Sequence, residues 1–133
     1  MKPTLFIVGG SSTALEIRET VDQFFKDKYF AVYNVISDEE SPILQTYIRD
    51  SSLLDRLSTI EVSHYIIGFT NRTLRLRFVD LFGGFNSVLD NVIHPSSYIS
   101  PSAILGKGNY LAANAVISSN ALIGNSNLIN YNV

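Results

Sequence analysis

The chain has 133 residues, a formal charge of −2, 46% hydrophobic residues and no cysteine, with a pI near 5.6. With no basic run, this balance argues against nucleic acid as a partner. No apolar stretch reaches the roughly 18 residues that a membrane helix needs, and disulfides and thiolate zinc sites are excluded together. His64 and His94 are too few and too isolated to predict a metal site, and an opening MKPTLFIVGG without a long apolar run or cleavage region predicts a cytoplasmic protein.

Thr4 to Val8 reads as a strand buried on both faces. Gly9, Gly10, Ser11 and Ser12 break it. From Thr13 onward Leu15, Ile17, Val21, Phe24 and Phe25 recur at approximately helical spacing, with Ser12 or Thr13 available as N-cap and Glu16 placed for a capping box. Tyr29 to Ile36 is a second strand, followed by a polar break from Ser37 to Ser41. Ile43 to Leu57 is ambiguous and is read as helix over Leu53 to Leu57. Glu61 to Phe69 predicts another buried strand, Thr73 to Phe82 a half-exposed helix ended by Gly83 and Gly84, and Ser87 to Ile93 a last strand. This alternation predicts an α/β unit with a parallel sheet of about four strands.

The remainder beats in sixes: ISPSAI, LGKGNY, LAANAV, ISSNAL, IGNSNL, INYNV, opened by Ile99, Leu105, Leu111, Ile117, Ile123 and Ile129. A shift of eighteen residues lays Ile99, Ser100, Ala103, Gly106, Asn109 and Asn114 on Ile117, Ser118, Ala121, Gly124, Asn127 and Asn132. Three hexads of extended chain, turned at corners that suit Gly and Asn, make one triangular coil of a parallel β-helix, with the aliphatic openers stacked inward. Two coils are present, the second one residue short, whereas stable arrays usually need about three or more units.

The sharpest chemical feature of the first half is the GGSS turn. A glycine turn opening a helix points free N–H groups at an anion, for which phosphate is the natural guest. The same turn also reads as purely structural, since it lacks the G-x-G-x-x-G spacing; that gap and the small sheet count against a dehydrogenase.

The hexads, with the preceding NVIHPSSYISPSA from Asn91 to Ala103, resemble the left-handed β-helix, hexapeptide-repeat acyltransferases, specifically the sialic acid O-acetyltransferase and UDP-amino-sugar N-acetyltransferase family. The resemblance implies a Rossmann-like nucleotide-sugar-binding domain over residues 1–93 and the start of a left-handed β-helix over 94–133. It implies the N-terminal portion of an enzyme that transfers acetyl from acetyl-CoA to an amino or hydroxyl group of a nucleotide-sugar in cell-surface glycan biosynthesis. In that family the general-base histidine follows a hexad shaped like LINYNV, so it is expected just beyond Val133, and no catalytic residue is assigned within the chain. Acetyl-CoA lies along later coils between subunits of a homotrimer, and binding to this chain alone is expected to be poor. A non-catalytic nucleotide-sugar-binding or regulatory module is the alternative.

Site residues follow from the same resemblance. The family loop running Gly, Ala or Gly, Ser or Gly, Gly, His cradles the pyrophosphate and nearby sugar of a UDP-sugar. Gly9, Gly10 and Ser11 match it, Ser12 replaces a glycine and Thr13 the histidine. Asp38 stands where a family acid accepts from uracil or ribose, or else is a loop acid capping the next segment. GFTNRTLR resembles the later family turn through Gly68, Asn71 and Arg75, with Thr70 where glycine is common. Arg72, Arg75 and Arg77 either help neutralise phosphate or are solvated. His94 is read as part of the junction and His64 as structural.

Overall fold

A computed structural model describes residues 1–10, 12–43 and 46–129. The all-buried run Thr4–Val8 forms β1, the central strand of a parallel sheet. On one side lie β2 (Ala31–Ile36) and β3 (Tyr47–Arg49), on the other β4 (Ser63–Ile67) and β5 (Val88–Leu89), in the order β3-β2-β1-β4-β5. Leu5 stands opposite Val32 and His64. The connecting helices are α1 (Thr13–Thr20), continued by a wider π-type turn over Val21–Phe25, then α2 (Asp50–Ser58) and α3 (Arg72–Gly83).

Alternation along β1 sends its side chains into two cores. Leu5 and Ile7 meet Ala14, Ile17 and Val21 of the first helix together with Val92, Tyr110 and Ala112 from the C-terminal part. Phe6 and Val8 meet Leu53 and Leu57 of α2 and Phe78 and Phe82 of α3, where the Tyr65 and Phe82 rings stack at 4.2 Å. The sheet is therefore covered by α2 and α3 on one face and by α1 and the C-terminal coils on the other.

Those coils are a run of two-residue strands at six-residue intervals: β6 (Val92–Ile93), β7 (Tyr98–Ile99), β8 (Ile104–Leu105), β9 (Tyr110–Leu111), β10 (Val116–Ile117), β11 (Leu122–Ile123) and β12 (Leu128–Ile129). They pair in parallel as β7–β10, β8–β11 and β6–β9–β12, with Ile99 on Ile117 and Leu105 on Ile123, which is the eighteen-residue register of three stacked faces. The aliphatic openers fill the interior with Ala103, Ala115 and Ala121. Corners fall at Gly108, Asn114, Asn120 and Ser126, six apart and all at φ between 58° and 75°, the left-handed region that Gly and Asn tolerate. Side chains bond coil to coil in the same register. Asn91 Oδ1 accepts from Asn109 N at 2.8 Å and Asn109 Oδ1 from Asn127 N at 2.7 Å, while Ser96 Oγ and Ser102 Oγ accept from the N–H of Asn114 and Asn120. The fold is a small parallel α/β sheet leading into the first coils of a parallel β-helix. Asn130 to Val133, most of the INYNV hexad, lie outside the described residues.

Several boundaries differ from the sequence reading. The sheet has five strands, because Tyr47–Arg49 adds an edge strand ahead of α2, which starts at Asp50. Three residues are too few to show a period. The second strand starts at Ala31, leaving Tyr29 as a buried anchor before it. The expected strand Ser87–Ile93 is two strands: Asp90 donates its N–H to Tyr65 O at the sheet, and from Val92 the chain pairs with Tyr110 of the coil.

Candidate functional site

Parallel strands end at one edge, so the loops after β1, β2 and β4 converge there. The chain leaves β1 toward β2 and later returns on the opposite side as β4, opening a crevice at this switch point. A cleft of about 270 Å³ lies in it, walled by Gly9 and Gly10, by Ile36, Ser37 and Glu40, by Gly68 and Phe69, and by Asp50, Leu74, Arg77 and Phe78.

The glycine turn on its floor is held from behind. Gly9, at φ 121°, donates to Val35 O at 2.8 Å, and its carbonyl accepts from the fully buried Asn34 Nδ2 at 2.8 Å. Asn34 Oδ1 in turn accepts from Arg18 Nη1 at 3.0 Å, and Arg18 reaches Thr46 O at 3.0 Å and Asp22 at 3.0 Å. A buried guanidinium is tolerated here because its donors are paired. Gly68 fixes the height of the first helix: a Cβ there would meet Ala14 Cβ at 2.7 Å and Ala14 Cα at 2.8 Å.

The predicted residues separate at this point. Gly10 lines the cleft. Ser11 lies outside the described residues. Ser12 occupies the N-cap position of α1 but makes no side-chain cap bond; its φ of 47° and ψ of −118° suit glycine and strain any other residue. Thr13 is the first residue of that helix. The expected capping box is absent, because Glu16 Oε1 instead accepts from Tyr110 Oη at 3.1 Å, joining helix to coil. Burial pushes the Tyr110 phenol up to about 12.

Asp38 is exposed and its Oδ1 accepts from Ser51 N at 3.0 Å, the capping geometry for α2. Thr70 is exposed, and Asn71 caps α3 by accepting from Leu74 N at 3.0 Å. Arg75 turns from the cleft to the coil, donating through Nη2 to Ser126 O. The guanidinium on the cleft wall is that of Arg77, bound to Asp50 Oδ2 at 2.8 Å. Asp50 Oδ1 is buried with no hydrogen-bond partner among the described residues.

The sequence reading did not single out Glu40 and Asp50, and left Arg77 as one arginine of three. No local signal marks Arg77: it adjoins the buried Phe78 at i+1, a spacing that puts the two side chains on different faces of α3. His64 Nδ1 contacts Asp90 Oδ2 at 2.9 Å, and the same oxygen accepts from Tyr29 Oη at 2.6 Å. His94 Nδ1 accepts from Ser96 N at 3.1 Å. Both histidines lie away from the cleft. No cluster of three metal-ligating side chains occurs among the described residues.

No protein-family model matches the sequence, and no curated protein matches it. Solved structures do match the fold. A variant of GDP-perosamine N-acetyltransferase from Caulobacter crescentus, in complex with CoA and GDP-perosamine, aligns with a TM-score of 0.78 at 24% identity over 94% of this chain and 59% of that one. The acetyltransferase domain of PglB from Neisseria gonorrhoeae, in complex with acetyl coenzyme A, aligns with a TM-score of 0.77 at 19% identity over 98% of this chain and 66% of its own. The chain has the fold of these acetyltransferases. PerB from Caulobacter crescentus, in complex with CoA and GDP-perosamine, aligns at a TM-score of 0.72 and 20% identity, covering 96% of this chain and 63% of that chain. The acetyltransferase fold is thus matched over nearly all of this chain, which spans about three fifths of their length.

Proposed function

We propose that this chain is the N-terminal portion of a sugar acetyltransferase, in which the α/β cleft takes a nucleotide-sugar and the coils begin the platform for acetyl transfer. The observation that carries this reading is a cleft at the switch point of a parallel sheet whose next segment runs directly into β-helix coils, as the fold of sugar acetyltransferases does. The first helix starts beside the glycine turn, so its free N–H groups favour the diphosphate. Arg77, held by Asp50 Oδ2 at 2.8 Å, presents a paired guanidinium at the opposite wall.

Acetyl-CoA supplies the thioester to the whole enzyme. The coils of this chain do not by themselves fit it: between Asn91 and Val133 the one lysine is Lys107 and there is no arginine, a poor match for the phosphates of CoA. We therefore assign this chain the nucleotide-sugar half of the work and derive no acyl-transfer step through it. Two outer faces of the coils support assembly of the complete protein as a homotrimer. Tyr98 and Val116 on one face, and Ile104 and Leu122 on the next, are 53–76% exposed apolar residues, and such stripes mark surfaces that copies cover. No helix among the described residues is long and apolar enough to cross a membrane. As part of this proposal, the setting is glycan biosynthesis in the cytoplasm.

Calorimetric titration with UDP, GDP and their amino-sugar conjugates tests the reading. Binding of at least one of them with a sub-millimolar Kd is expected, without acetyl transfer from acetyl-CoA by this polypeptide. Silence toward every nucleotide at millimolar concentration refutes the cleft assignment, and robust turnover refutes the division of labour.

A further inference from the structure

We infer that Glu40, rather than Asp38, is the acid that reads the ribose of the bound nucleotide, so that the cleft selects ribonucleoside diphosphates over their 2′-deoxy counterparts. The inference rests on the nucleotide reading of the cleft and adds which part of the ligand meets which side chain.

Three observations converge on Glu40. Its carboxylate lies directly against the glycine turn: a Cβ placed on Gly10 would stand 2.6 Å from Glu40 Oε2 and 3.3 Å from its Cδ. Its main chain is clamped, since Glu40 N donates to Ser37 O at 3.2 Å while Arg49 Nη1 donates both to Ser37 O at 2.9 Å and to Glu40 O. The carboxylate itself makes no hydrogen bond to any described residue. Asp38 offers none of this, because it is exposed, is absent from the cleft wall, and spends Oδ1 on Ser51 N.

Charge then decides which part of a nucleotide belongs beside Glu40. A carboxylate at van der Waals distance from the turn repels a phosphate placed on it, whereas vicinal hydroxyls are two neutral donors that match its two oxygens. The diphosphate is accordingly directed toward the start of the first helix and Arg77, and the ribose lies across Gly10 with its 2′- and 3′-hydroxyls donating to Glu40. This division, phosphates at a helix N-terminus and ribose hydroxyls on an acid after the second strand, is the general economy of a parallel-sheet crevice. Gly10 matters because any side chain there would collide with Ile36 Cγ2 at 2.5 Å as well as with Glu40.

The test measures Kd by calorimetry for UDP against 2′-deoxy-UDP, and for GDP against 2′-deoxy-GDP, with the unsubstituted chain, Glu40→Gln, Glu40→Ala and Asp38→Asn. The unsubstituted chain is expected to prefer the ribonucleotide by about ten-fold, as one hydrogen bond to a charged acceptor implies. Both Glu40 variants should reduce that ratio to about one or two, while Asp38→Asn keeps it. Thermal melts confirm that the variants fold; the Glu40 carboxylate makes no hydrogen bond to any described residue, so little change in melting is expected. A ratio that survives Glu40→Ala, or that Asp38→Asn abolishes, overturns the inference and leaves the nucleotide reading standing. Equal tightening of all four ligands in Glu40→Ala also overturns it, because the carboxylate then acts only as a repulsive plug. Failure of every nucleotide to bind the unsubstituted chain removes both the inference and the reading beneath it.

Discussion

The two parts of this molecule solve the same problem, burying apolar chain while satisfying polar backbone, in opposite ways. In the coils each contact recurs: Asn91 to Asn109 repeats as Asn109 to Asn127, and Ser96 to Asn114 as Ser102 to Asn120. In the α/β part the bonds that hold the glycine turn are singular, and the chain Gly9–Asn34–Arg18–Thr46 draws on four separate segments. A repeat makes a stackable surface but not a unique concavity, because equivalent positions present equivalent groups. The cleft arises where the pattern is irregular, and it is there that a small ligand can be discriminated.

The contrast is most sharply tested at Gly68. Gly68→Ala drives a Cβ into the Ala14 backbone of a helix pinned on both sides, and a loss of about 3 kcal/mol is expected by chemical denaturation. A neutral outcome would mean that the first helix is free to lift and that the cleft is not rigidly built. Next comes Asn109→Ala in the coils. Asn109 is fully buried, donates to Gly124 O at 2.8 Å and accepts from Asn127 N, so its removal strands two backbone groups at about 2 kcal/mol. Hydrogen exchange should show the loss of protection confined to the neighbouring coils, leaving β1 and β4 protected; spread into the sheet would show that the coils are less modular than their repeat suggests.

The seam between the parts gives an alkaline signature. Tyr110 titrates near 10 when unfolded but at about 12 in the fold, because it is buried and donates to Glu16. Burial, with the Asp90 hydrogen bond, likewise raises Tyr29. A raised phenol stabilises fully below pH 10, and its contribution is lost as pH climbs toward about 12. Stability should therefore fall there by about 1.4 kcal/mol per pH unit for each tyrosine, and Tyr110→Phe should remove its own share of that slope.

Ser12→Gly relieves φ 47° and ψ −118° beside the glycine turn and is expected to stabilise the fold by about 1 kcal/mol. No gain would place the strain elsewhere. The smallest effect is expected for Asp38→Ala, which removes the cap on Ser51 N. A cost of about 0.5–1 kcal/mol, with nucleotide Kd unchanged, would separate the capping acid from the cleft acid.

How far the sequence could be read differs between the parts for a physical reason. In the coils contact order and sequence order are tied by a fixed register, so the alignment of Ile99 with Ile117 was already a statement about neighbours in space. Strand Thr4–Val8, the glycine turn and the helix after it were legible from run length and breakers. The three-residue edge strand Tyr47–Arg49 was not, since its pairing with β2 comes from the sheet and not from its own pattern. Among Asp38, Glu39 and Glu40 the sequence offers three equivalent acids. Which one overhangs the cleft depends on a turn closed by Glu40 N on Ser37 O and clamped by Arg49 from the next strand.

The linear order of residues thus determined the two architectures, their sequence of appearance and the place of the glycine turn before the first helix, because these follow from local conformational preference and periodic burial. Tertiary structure alone decided that Arg75 serves the coil while Arg77 faces the cleft, that Glu16 binds Tyr110 instead of its own helix end, and that the acid nearest Gly10 is Glu40. Those choices turn on helix phase and on which distant segment arrives opposite. Such juxtapositions are set by the packing of the whole chain and are carried by no single stretch of it.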